Sequence, residues 1–145
     1  MHSTLFTLFG FAAAACSASI PRAATEVKPF EITEFNVTQV AENEPVAQVL
    51  FKVYEPNTND TTYCSGDAVR PNEINFCNGL PQFVLSDDFA TLSVSWSWIP
   101  NGLQGKYSIG SGIANVTLNC LDQLTEQGKQ QCVSDKFLIQ PTLLA

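Results

Sequence analysis

The sequence predicts an all-β fold: a compact antiparallel β-barrel or sandwich of about nine or more short strands with two local disulfides. Three observations carry that expectation. In the segment Phe89–Cys120, residues Leu92, Val94, Trp96 and Trp98 alternate strictly with Ser93, Ser95 and Ser97, which is the period of two of an extended, half-buried strand. Short runs rich in Val, Ile, Thr and Phe recur between clusters of Gly, Pro, Asn and Asp, the spacing of a sandwich or barrel. Finally, Cys64, Cys77, Cys120 and Cys132 form an even set, as a disulfide framework requires.

The chain of 145 residues is one domain by size. Its first 15 residues, MHSTLFTLFGFAAAA, are apolar, and the small residues Cys16-Ser17-Ala18 follow. This is the pattern of a secretory signal peptide over residues 1–18, with trimming as late as residues 22–24 an alternative. The stretch is shorter than the roughly 20 residues a membrane-spanning helix needs. The mature domain is expected over 25–145, secreted and extracellular, with no membrane association.

Within it, Thr25–Pro29 reads as a lead. In Phe30–Val40 the apolar residues shift phase between Ile32 and Phe35, which predicts a strand with a β-bulge. Ala41–Pro45 reads as a turn. Val46–Tyr54 is a strand with Val49, Phe51 and Val53 inward. Glu55–Asp60 and Ser65–Asn72 read as polar loops around a short strand at Thr61–Cys64. Ile74–Cys77 and Pro81–Leu85 are further short strands, and Ser86-Asp87-Asp88 is a turn. After Trp98, breaks are expected at Asn101-Gly102 and Gly110–Gly112. The alternation then resumes, with Ala114, Val116, Leu118 and Cys120 opposite Asn115, Thr117 and Asn119. Leu121–Gln131 is a candidate helix of a turn or two, and Val133–Leu144 holds a closing strand centred on Phe137–Gln140.

Loss of Cys16 with the leader leaves four cysteines, which allow three pairings. The short separations favour Cys64–Cys77 and Cys120–Cys132, each worth about 3 kcal/mol on the chain-entropy account. Zinc is disfavoured, because the chain has no CxxC pair and its one histidine, His2, lies in the leader. Three sequons, at Asn36, Asn59 and Asn115, are candidate N-glycosylation sites of a secreted chain.

Composition excludes more than it specifies. Fourteen acidic against seven basic residues give a net charge of −7, and the basic residues are scattered, so a phosphate backbone is repelled and nucleic acid is not an expected partner. A mature chain without histidine cannot run Ser-His-Asp or Cys-His chemistry, and no phosphate-binding glycine motif is present. A glycosidase would need a carboxylate pair. Asp87 and Asp88 are adjacent and face opposite ways on an extended chain, while Asp67 and Glu73 fall in polar loops. No catalytic residue, cofactor or metal is therefore expected. Trp96 and Trp98, with Tyr107, are the candidate residues for a small aromatic ligand, or as a less favoured alternative for carbohydrate binding, although sharing a face with Leu92 and Val94 favours core packing for the tryptophans.

The order of elements resembles one family. The run Phe30-Glu31-Ile32-Thr33-Glu34-Phe35, the apolar second strand, Cys64 and Cys77, and then Cys120 and Cys132 leading into Phe137-Leu138-Ile139 are similar to the secreted fungal β-barrel proteins typified by the major allergen of Alternaria moulds. The resemblance spans residues 28–144. It implies a β-barrel with two local disulfides and no established catalytic residues. It also implies an extracellular role as allergen, effector or elicitor, with a host protein of the plant-defence type or a flavonoid-type ligand as partner. The founding member's early cysteine, used for a covalent dimer, has no counterpart after Cys16, so a monomer or non-covalent dimer is expected. Recognition is expected on the loops Glu55–Asp60 and Ser65–Asn72.

Overall fold

Alternation fixes which side of each strand is buried. In Thr91–Trp98, Leu92, Val94, Trp96 and Trp98 are buried, and the four residues between and before them are half-exposed. The structure, a computed structural model, describes residues 26–41, 44–98, 108–121 and 129–144. The expected signal peptide, Asn101-Gly102 and Tyr107 lie outside these residues, as does most of the candidate helix. The described residues form β1 (Phe30–Ala41), β2 (Glu44–Glu55), β3 (Asp60–Val69), β4 (Asn75–Phe76), β5 (Gln82–Leu85), β6 (Thr91–Trp98), β7 (Ser108–Asn115), β8 (Asn119–Cys120), β9 (Gln131–Ser134), β10 (Phe137–Ile139) and β11 (Thr142–Leu144). Both sheets are antiparallel, one in the order β3-β2-β1-β9-β8 with β10 also on β1, the other β11-β7-β6-β5-β4.

The predicted bulge holds β1 together with three partners. Phe30 and Ile32 are buried, then Phe35 and Val37, and the change of phase falls at Glu34, whose φ is 57°. The ladder to β2 shifts register between Thr33 and Asn36. On the opposite edge, β10 pairs with Phe30–Ile32 and β9 with Phe35–Thr38. One extra residue thus turns a long strand so that two short ones share its side.

The apolar faces of the sheets meet in a core rich in aromatic rings. Phe51 of β2 packs edge-on against Phe83 of β5, with centroids 5.0 Å apart. Phe30 of β1 packs against Trp96 and Trp98 at 6.2 and 6.1 Å. Each large apolar side chain so buried contributes about 1.5–3 kcal/mol. Among the described residues no backbone ladder joins the two sheets, so the fold is a sandwich with barrel-like seams, not a closed barrel. At one seam β3 and β4 are bridged by Cys64–Cys77. At the other, the chain passes from β10 to β11 through Gln140 and Pro141.

Several expected boundaries are corrected. Gly110-Ser111-Gly112 is no break but the middle of β7, opposite Trp96, Ser95 and Val94. These glycines leave room: a Cβ on Gly110 would lie 2.5 Å from the Trp98 ring, and one on Gly112 2.6 Å from the Gln140 carbonyl oxygen. The strand expected to run on to Cys120 ends at Asn115, and β8 belongs to the other sheet. Ser65–Val69, expected as loop, continues β3. The closing strand is three strands, β9 to β11. Gly110→Ala is expected to cost about 1–3 kcal/mol by overpacking Trp98, read as a lower urea midpoint with an altered near-UV tryptophan spectrum. An unchanged midpoint would show that the ring can move aside freely.

Candidate interaction surface

Both expected disulfides are present, and they do different things. Cys120 and Cys132 are directly opposed on β8 and β9, so that bridge reinforces a ladder within one sheet. Cys64 sits on β3 and Cys77 just past β4. That bridge joins the edges of the two sheets. The Asn78 N–H donates to the Tyr63 carbonyl at 3.0 Å, and the Thr62 hydroxyl donates to the Asn78 carbonyl. The Cys77 N–H donates to the Pro81 carbonyl at 3.0 Å, closing a turn in which Gly79 takes φ 113°.

This local framework presents an apolar rim. Cys77 must face inward to meet Cys64, so Phe76 beside it faces outward, opposite Gln82. Ile74, two residues earlier, and Leu80 in the turn are also outside; Ile74, Phe76 and Leu80 are 63%, 66% and 65% exposed. Asn72, Glu73, Asn75 and Asn78 surround them in sequence, none buried. Large apolar side chains fixed on a cross-linked edge and ringed by polar groups have the composition of an interaction site. From sequence alone Ile74–Cys77 reads as an ordinary short strand, and the rim does not show. The inward constraint on Cys77 is the signal that could have revealed it.

Of the two segments expected to carry recognition, Glu55–Asp60 is held by hydrogen bonds to its first residue. Glu55, fully buried, ends β2 and turns its carboxylate onto the following residues. Its Oε1 accepts the Asn57 N–H at 2.8 Å and also the Asn57 side-chain amide. Its Oε2 accepts the Thr58 N–H at 2.8 Å and the Thr58 hydroxyl at 2.6 Å. Asn57 in turn exchanges bonds with the backbone of Lys28, 2.9 Å from its N and 3.2 Å from its carbonyl. Glu55–Asp60 is therefore a structural knot that ties down the lead into β1.

Trp96 and Trp98 are 6% and 7% exposed and pack on Phe30, so they serve the core; the third candidate ligand residue, Tyr107, lies outside the described residues. Asn36 is half-buried on β1, while Asn59 and Asn115 are exposed. Asn59 takes φ 63° and accepts the Tyr54 hydroxyl at 2.9 Å. Asp87 accepts the Asn72 amide at 2.8 Å. Donation by the Ser86 hydroxyl, then by the Ala90 N–H, holds the Asp88 carboxyl below the usual carboxylate range. Both carboxylates act as turn acceptors. Among the described residues, no group of three or more His, Cys, Asp or Glu could hold a metal ion.

No protein-family model and no curated protein sequence matches the chain. Among solved structures, the Alternaria alternata allergen Alt a 1 superposes with a TM-score of 0.61 over 88% of this chain and 97% of that one, at 15% sequence identity. The chain has the Alt a 1 fold. The expected likeness to the Alternaria allergen thus holds at the level of architecture, in a chain that shares few residues with it. Like any disulfide-bonded domain, it fits an oxidising compartment.

Proposed function

We propose that this chain is a secreted, non-enzymatic fungal protein that acts outside the cell as an effector, elicitor or allergen-like protein by binding a host extracellular protein of the plant-defence type. The observation that carries this reading is the Ile74–Phe76–Leu80 rim, three apolar side chains held outward by Cys64–Cys77 on the edge of an allergen-type sandwich. The signal-like first 18 residues, the paired cysteines and the lack of histidine chemistry in the mature chain support it. Such a protein acts by occupancy, as a monomer or non-covalent dimer, and requires no cofactor.

The test is retention from plant apoplastic fluid on the tagged protein under non-reducing conditions. One or a few host proteins are expected to be enriched, with Phe76→Ser/Leu80→Gln weakening the complex at least tenfold, or about 1.4 kcal/mol. Absence of an enriched protein across repeated extracts would overturn the reading. Equal retention by the variant would move the contact away from this rim.

A further inference from the structure

The outward face of the first sheet carries a row of residues in register. Ser65 of β3 lies opposite Leu50 of β2, Leu50 opposite Asn36 of β1, Asn36 opposite Val133 of β9, and Val133 opposite Asn119 of β8. Directly opposed side chains have Cβ atoms about 5 Å apart. Leu50 and Val133 are 46% and 41% exposed, an apolar residue on either side of one asparagine. That asparagine begins the sequon Asn36-Val37-Thr38. Asn36 and Thr38 share the outward face, since Phe35 and Val37 point into the core. The Thr38 hydroxyl donates to Asn36 Oδ1 at 3.4 Å, which leaves the amide nitrogen, the atom that is glycosylated, without a role in that contact.

We propose that Asn36 carries an N-linked glycan whose first sugars lie over Leu50 and Val133 and complete this face of the sheet. The apolar faces of sugar rings and the acetamido methyl of N-acetylglucosamine match two exposed aliphatic side chains in a polar setting. Asn36 differs in this from the other two sequons. Asn59 is in a turn, bonded to the Tyr54 hydroxyl, and Asn115 ends β7 opposite the polar Thr91. Neither has an apolar residue directly opposite on both sides. The inference rests on the secretory route of the proposed function but not on its host partner.

The experiment uses the full mature domain, secreted from a glycosylating host behind a heterologous leader, so that a failure of its own leader does not enter. Glycopeptide mapping is expected to find Asn36 occupied. Removing the sequon as Thr38→Ala, and independently as Asn36→Gln, is expected to raise binding of an apolar fluorescent dye at least twofold. The rise should vanish in a Leu50→Thr/Val133→Thr background. Should the sequon variants fail to be secreted, that background is expected to restore secretion. An unoccupied Asn36 in the secreted protein overturns the proposal. So does dye binding unchanged by sequon loss, or any effect that persists unaltered in the Leu50→Thr/Val133→Thr background.

Discussion

Glu55→Ala is expected to lower stability by roughly 3–6 kcal/mol, since it removes a buried charged acceptor from two backbone N–H groups at about 1.5–3 kcal/mol each. The Asn57 and Thr58 N–H groups and the Thr58 hydroxyl all end on this one carboxylate. Removing it strands donors that the turn then has to re-satisfy with water. Glu55→Gln keeps one acceptor oxygen and should cost about half as much. Asn57→Ala should cost about 1 kcal/mol, because it frees Lys28 yet leaves the Thr58 bonds intact. Urea unfolding checks the order, and amide exchange should show protection lost at Lys28, Asn57 and Thr58 before the rest of the domain. A Glu55→Ala midpoint within experimental error of the parent would mean that the carboxylate adds nothing net beyond its own desolvation.

That prediction could not come from the sequence, where Glu55 heads the polar string EPNTND and looks like the start of a solvated loop. Its burial follows from β2: Val49, Phe51 and Val53 point inward, so the same parity carries Glu55 inward as well. Periodicity thus held the information, but the local composition of Pro, Asn and Asp outweighed it. Elsewhere periodicity sufficed. The inward tryptophans of β6, the bulge in β1 and the inward set of β2 are all legible, because each lies on a long strand with one wet face.

What was misread involves sequence signatures with two physical causes. Gly110-Ser111-Gly112 looks like a turn, and glycine does serve turns by tolerating positive φ. Here it serves close approach, of the Trp98 ring and of the chain at Ile139–Gln140, and only the three-dimensional partner tells the two apart. The short strands β4, β8 and β10 have too few residues to show a period. For that reason the sheet change after Asn115, the split of the closing strand and the outward rim at Phe76 were not legible.

The two disulfides separate the chain-entropy argument from the structural one. Their sequence separations are 13 and 12 residues, so loop closure assigns each about 3 kcal/mol. The fold assigns them unequal roles. Cys120–Cys132 lies across a ladder that β8 and β9 already form, and Cys120 is exposed. Cys64–Cys77 is buried at both ends and ties the edges of two sheets together. Cys64→Ala/Cys77→Ala should therefore cost clearly more than the loop value, roughly 4–5 kcal/mol, at the upper end of what native bridges supply. It should also release Asn75–Phe76 and the Ile74–Phe76–Leu80 rim, seen as fast amide exchange at β4 with host-protein retention lost. Cys120→Ala/Cys132→Ala should stay near 3 kcal/mol and leave retention intact. With mild reductant on the native protein, the exposed bridge should open first, as read by alkylation of Cys120 before Cys64. Equal losses from the two double variants would reduce the seam to an ordinary loop closure. Retention surviving the loss of Cys64–Cys77 would show that the rim needs no covalent frame to bind.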